Sequence, residues 1–323
     1  TVSSILDINK DGIISFADLS AVTPNIGTQQ ENITTAVNPL ADLTRSQVWE
    51  LDALGNFVEL INNDGTPQSR THNLQNQVTD VGSASLSFDL NGNMTIDEQG
   101  RELFWDAWNR LVRVEDGNEQ TLVEYKYDGL KRRIVEDDGT SERHLYYSDQ
   151  WQVLEERVDG DTVTQYVWSA VYVDAMILRD RDADANTGNG LEERIYVLHD
   201  ANYNVTALVD TSGNVLERYY YEAYGRAVYL EDAFTLQPDG QSDHGWQHLH
   251  QGGRLDTITG NYHFRHRDLS WILGRWISQD PIGFEAGDAN LYRYVGNGPL
   301  GIDWIQVVFW HLGFLAHKSR RTH

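Results

Sequence analysis

Apolar and polar positions alternate along much of the chain, as in Thr121-Leu-Val-Glu-Tyr-Lys-Tyr127 and Leu191-Glu-Glu-Arg-Ile-Tyr-Val-Leu198. A period of two sends successive side chains to opposite faces, so each run predicts a strand with one face buried. Between the runs one unit recurs: an aromatic or apolar residue, Asp or a substitute, two residues, Gly or Asn, a polar residue and an apolar one. It reads Leu51-Asp52-Ala-Leu-Gly55-Asn56-Phe57, then His72-Asn73-Leu-Gln-Asn76-Gln77-Val78, Phe88-Asp89-Leu-Asn-Gly92-Asn93-Met94 and Trp105-Asp106-Ala-Trp-Asn109-Arg110-Leu111. Tyr127-Asp128, His199-Asp200 and Val209-Asp210 open further copies, and Tyr221-Glu222-Ala-Tyr-Gly225-Arg226-Ala227 is the last clear one.

The first five acidic or Asn positions, 52, 73, 89, 106 and 128, lie sixteen to twenty-two residues apart, room for a strand, a tight turn and a returning strand. Asp bonds its own backbone and Gly or Asn accepts positive φ, which is what such a turn demands. A lone hairpin is marginal in water, so neighbours must join into one sheet. The expected class is mostly β: an antiparallel hairpin-repeat sheet over residues 46–230, with its Tyr and Trp packing across strands and its Asp forming turns.

Charge and composition narrow the partners. The 49 acidic side chains against 25 basic ones give a net charge of -24, which would repel a phosphate backbone; no nucleic-acid partner is expected. The same surplus suits a highly soluble secreted surface or one that collects divalent cations. With no cysteine, disulfides and thiolate metal sites are excluded. The 16 Tyr, 10 Trp and 9 Phe beside only 6 Pro strengthen the β reading. Thr1 to Asp11 has neither a basic nor an apolar leader segment, so no signal peptide is expected within the chain. The longest apolar stretch, residues 305–316, falls short of the roughly 20 residues a membrane span needs.

Residues 7–18 carry candidate metal chemistry. Asp7, Asn9, Asp11, Ser15 and Asp18 fall at positions one, three, five, nine and twelve of a calcium loop, with the carbonyl of Ile13 at seven and Gly12 at the sharp turn. Calcium is the expected cofactor, within a loop-helix motif over residues 1–22. The loop is similar to half of a dockerin, with Asp in place of Glu at its last position and one loop visible where a dockerin has two. A Thr-, Asn- and Gln-rich linker is expected over residues 23–45. A second acidic stretch, Asp180 to Glu193, offers similar oxygens with its glycines out of register, and is read as an excursion between strands. His244, His248, His250, His263 and His266 cluster without a clear ligand spacing and are assigned to surface or core packing.

The recurring unit resembles the YD repeat of the Rhs family, of Tc-toxin C components and of teneurins. The stretch from His250-Gln-Gly-Gly-Arg-Leu-Asp256 through Arg265-His-Arg267-Asp268 and Gly274-Arg275-Trp276-Ile-Ser-Gln-Asp280-Pro281-Ile-Gly283 to Asn290-Leu-Tyr-Arg-Tyr-Val-Gly-Asn297 resembles the Rhs repeat-associated core domain. The resemblance implies a partial shell or cocoon of hairpins, a core domain at residues 231–303 closing one end, and secretion or display at a cell surface. It also implies a toxic C-terminal cargo, or neighbouring repeats of a larger shell, as partners.

The family's self-cleavage resembles aspartyl proteolysis, and the carboxylates that match its pair are Asp268 and Asp280. One would activate water while the other protonates or polarises the scissile carbonyl. Arg265, Arg267 and Arg275 could orient the pair or balance its charge. The competing reading is that both aspartates cap turns beside Gly274 and Pro281. At the cleavage sequence the chain departs from the family, with Asp303-Trp304 where Asp-Pro is the pattern. Residues 304–323 are expected to be a variable or remnant tail, and the fragment an open, curved sheet. Two rival readings stay open: a calcium-stabilised module binding a cell-surface carbohydrate or partner, and an inactive truncated fragment.

Overall fold

The structure is a computed structural model and describes residues 47–63, 65–186 and 188–298. Residues 7–18, the linker and Asp303 with the tail lie outside the described residues. Strands β1 (Gln47–Leu51) to β5 (Ala84–Ser85) form a five-stranded sheet, and β6 (Ser87–Phe88) to β19 (Ala227–Glu231) a fourteen-stranded one. In both, neighbours in space are neighbours in sequence and every pairing is antiparallel. β20 (Arg254–Leu255), β21 (Tyr262–Phe264), β22 (Arg267–Ser270) and β23 (Arg275–Trp276) make a separate four-stranded sheet. The chain is an antiparallel hairpin-repeat protein, and no helix among the described residues is long and apolar enough to cross a membrane.

One turn builds the repeat. At Asp106 the backbone N–H donates to the Arg110 carbonyl, the Asn109 N–H donates to the Asp106 carbonyl, and Asn109 sits at φ 59°. The Asp106 Oδ1 accepts from the N–H groups of Trp108 at 2.9 Å and Arg110 at 3.1 Å, while Oδ2 takes the Arg110 side chain at 2.7 Å. The ladder shifts register just before the turn, between Phe104 and Trp105, as a bulged hairpin requires. Asp52, Asp89, Asp128, Asp200 and Asp210 repeat the same bonds. So do Asp97, Asp116 and Ser148, where the sequence pattern is degenerate because Gly or Asn is replaced, by Glu119 and Trp151, or the closing apolar residue is, by Glu102.

In five of the hairpins the aromatic does more than pack. Trp105 donates to the Met94 carbonyl, Tyr127 to Leu111, Tyr147 to Arg133, Trp168 to Val153 and Tyr221 to Val205, at 2.6–2.9 Å. Each acceptor is the residue five positions after the turn residue of the hairpin before. Such a bond, worth about 1 kcal/mol net, gives the ring an apolar body in the core and a polar tip that sets the register.

An open sheet is not what forms. Trp49 in β1 and Phe57 in β2 (Phe57–Asn62) pack against Tyr224, in the turn before β19, at ring centroid distances of 5.9 and 5.2 Å. The first hairpin therefore meets the last, and the strand series closes on itself around the four-stranded sheet. This inner sheet is a plug tied to the wall along its whole course. Arg70 donates to the carbonyls of Ile272 and Leu273, Arg101 to Ile258 and Thr259, Arg254 to Glu136, Tyr262 to the Gly225 carbonyl, and Tyr292 to the Gly92 carbonyl. Local periodicity predicts hairpins but says nothing of curvature, which is set by these long-range contacts.

Candidate functional site

Asp268 and Asp280 line one cleft of about 410 Å³ between wall and plug. Its wall side comes from the Asp89, Asp106 and Asp128 turns, through Asn91, Asn93, Trp108 and Lys131; its plug side includes His263, His266 and Gln279. Asp268 lies in β22, paired with His263 of β21 across the ladder. Asp280 follows β23 at a turn, its N–H on the Leu291 carbonyl and its Oδ1 accepting from the Ile282 N–H at 2.9 Å. So Asp280 does cap a turn beside Pro281 while also facing the cleft.

The two carboxylates are held by different cations. The Asp268 Oδ1 accepts from Arg133 Nη2 at 3.0 Å and lies 3.0 Å from His263 Nδ1. Asp280 Oδ2 lies 3.3 Å from Arg267 Nη1. No hydrogen bond joins the two carboxylates among the described residues, so two separate ion pairs stand where a shared proton would require direct contact. Burial by itself would raise the pKa of Asp268, but the Arg133 charge and His263 outweigh it and hold the carboxyl below its usual range. His263, buried and facing Arg133, is pushed down, so it is neutral and its Nδ1 carries the proton given to Asp268. His266 is likewise pushed down to about 4, by burial first and then by the surrounding cations.

Of the three arginines read from the sequence, Arg267 reaches the pair. Its guanidinium also lies 4.1 Å over the Trp276 ring. Arg265 lines the cleft and is anchored on Asp174. Arg275 turns away and donates to Asn56 Oδ1 at 3.0 Å, with burial pulling its pKa down to about 10. Its role is to seat the plug on the first hairpin, not to balance the carboxylates.

Sequence reasoning missed Arg133, which comes from the wall. Its side chain is buried, stacks 3.9 Å from the Tyr125 ring and faces Asp256 and Glu136 besides Asp268. A signal was available. The residue five after the turn Asp is apolar in the other clear units, as Phe57, Val78, Met94, Leu111, Val205, Val215 and Ala227 show, and only the Asp128 unit places a cation there. A charge at a core register position demands a buried partner.

The acidic stretch after β15 (Met176–Arg181) is a loop leading to β16 (Glu193–His199). Asp180 and Glu193 at its ends pair with Arg194 and Arg181, while single oxygens of Asp182, Asp184 and Glu192 lie within 4.8 Å of one another.

A ring of Asp-turn hairpins sealed by a small sheet is thus the class of protein that fold and cleft define. Residues 32–300 match the teneurin YD-shell family, and the chain belongs to that family. It is 30% identical to the tRNA3(Ser)-specific nuclease WapA of Bacillus spizizenii over 258 residues, which cover 76% of this chain and 10% of that protein. It is 25% identical to Teneurin-3 of Danio rerio over 237 residues, 71% of this chain and 8% of the relative. With the double-stranded DNA deaminase toxin A of Burkholderia cenocepacia it shares 26% over 291 residues, 83% and 19% of the two chains. Among solved structures, TcdB2–TccC3 superimposes with a TM-score of 0.48 at 15% identity, over 80% of this chain and 17% of that one. The chain spans about a tenth of the length of the WapA relative.

Proposed function

We propose that this chain is a wall-and-plug segment of an Rhs-type shell, a scaffold that encloses a C-terminal cargo within a secreted or surface-displayed protein. The observation that carries this is the plug: Arg70 and Arg101 donate to it, Glu136 and the Gly225 carbonyl accept from it, and the wall closes around it. Relatives named as a tRNA nuclease and a DNA deaminase toxin make a toxic enzymatic segment the cargo to look for. Hydrogen exchange on the whole chain tests the scaffold. Amides joining wall and plug, such as Met94 to the Ile277 carbonyl and Val205 to the Leu249 carbonyl, are expected to exchange only with global unfolding. Exchange of the plug while the wall stays protected would refute the assignment.

Self-cleavage near Asp303 is the chemistry proposed for the cleft. Asp268, ionised, would take the proton of the attacking water and return it to the departing amine as the peptide C–N bond breaks, and Arg267, held by Asp280, would polarise the scissile carbonyl. Intact-mass analysis of the wild type beside Asp280→Asn, from mildly acidic to neutral pH, decides this. Loss of a C-terminal piece from the wild type alone supports it; a full-length mass in both leaves the scaffold without the reaction.

A calcium-stabilised surface module is the second reading, supported by the ligand spacing at residues 7–18. Calorimetric titration with calcium is expected to give heat that Asp11→Ala abolishes; no heat from the wild type removes this reading.

A further inference from the structure

We propose that the apolar stretch at residues 305–316 docks along one rim of the hairpin wall, over Leu54, Leu74, Leu90, Trp108 and Leu130. Alternate turns of an antiparallel series fall on opposite rims. The turns at Asp52, Asn73, Asp89, Asp106 and Asp128 share one rim, and those at Asp97, Asp116, Asp138 and Asp210 the other. The five apolar side chains sit at the tips of the first set, and all are exposed, Leu74 and Leu90 completely. The opposite rim presents Glu119, Asp138, Asp159, Asp184 and Asp232 to solvent instead. Five apolar tips in succession along one rim, where the opposite rim exposes Phe234 and Leu236 at a single turn, are unfavourable in water and call for a cover.

The cover is argued from where the described chain stops. Asn290 Nδ2 donates to the Leu54 carbonyl at 3.1 Å and Asn297 Nδ2 to the Gly55 carbonyl at 2.8 Å, so the chain arrives at the Leu54 end of this rim. Eight residues beyond Asn297 begins a twelve-residue stretch, Ile305 to Ala316, rich in Val, Phe, Leu and Trp. Four hairpin steps of two strand spacings separate the Leu54 tip from the Leu130 tip, about 38 Å, and twelve extended residues reach about 40 Å. From residue 304 onward there is no acidic side chain, while Lys318, Arg320 and Arg321 are basic, so in a chain of net charge -24 the acidic remainder does not repel the segment.

The inference stands apart from self-cleavage, because the test reads position and not bond breaking. The chain has no cysteine, so introduced pairs report cleanly. Full-length Leu74→Cys/Phe309→Cys, whose two positions the extended path brings side by side, and the opposite-rim control Ser212→Cys/Phe309→Cys are treated with a short bis-maleimide and followed by intact mass. The rim pair is expected to cross-link within one chain about tenfold faster than the control, as tethering at a fixed site raises effective concentration. Equal rates, or a faster control, overturn the proposal. Cross-links only between chains overturn it too and assign the rim to a second copy. A cleaved chain reveals itself by mass and is counted apart.

Discussion

Replacing Arg133 with leucine would take the guanidinium bonded to the buried Asp268 and remove the same charge from beside Asp256 and Glu136. Breaking a buried pair from one side costs roughly 3–5 kcal/mol, because the remaining charge stays desolvated. The lost contact with the Tyr125 ring adds to this, so about 4 kcal/mol at pH 7 is expected by urea unfolding followed through tryptophan fluorescence. The pH dependence carries a sign. The folded pKa of Asp268 is lowered, so the pair contributes stability above the unfolded carboxylate range, and that contribution fades as pH falls through the folded value. The variant's deficit should therefore narrow on acidification below about pH 4. A double-mutant cycle with Asp268→Asn should show a coupling of about 2 kcal/mol. A loss under about 1 kcal/mol, or additivity of the two changes, would refute the buried-pair argument.

Other expectations follow from the same contacts. Asp106→Ala removes the carboxylate that accepts from two backbone N–H groups, and an ion pair, and should cost about 1–2 kcal/mol, with Asp106→Asn closer to wild type; equal losses would show that the turn does not depend on the side chain. Gly274→Ala would drive a methyl to 2.6 Å from Phe57 at φ +68°, whereas Gly213→Ala at φ +87° meets nothing within 4 Å. Denaturation should show the second costing about 1 kcal/mol and the first clearly more, and equal costs would deny the seam at Tyr224. His248 and His250 are buried and pushed down to about 3 and about 4, by burial above all. The unfolded state then binds protons that the folded state refuses, so stability falls as pH drops below about 6.5, by roughly 2 kcal/mol per histidine at pH 5. A flat profile between pH 7 and 5 contradicts their burial as neutral bases.

Much of the wall was legible in the sequence because its rules are local. An Asp with positive φ three residues later closes a turn within five residues, and alternation in stretches such as Thr121–Tyr127 assigns Val123 and Tyr125 inward without any distant contact. The turns at Asp116 and Ser148 escaped since Glu119 and Trp151 occupy the left-handed position where glycine is expected, and the one at Asp97, which keeps Gly100, since Glu102 stands where the unit closes on an apolar residue. The candidate carboxylates, too, were found by motif.

What the tertiary structure alone decided is how these pieces face one another. Closure of the wall at Trp49, Phe57 and Tyr224 joins residues about 170 positions apart in sequence, beyond the reach of any periodic pattern. The partners of the two aspartates were also settled there: Arg133 arrives from the wall, Arg267 from the plug, and Arg275 departs to Asn56. A sequence lists which side chains carry charge, but whether two carboxyls share a proton or keep separate cations depends on distances of a few ångströms, and only folding fixes those.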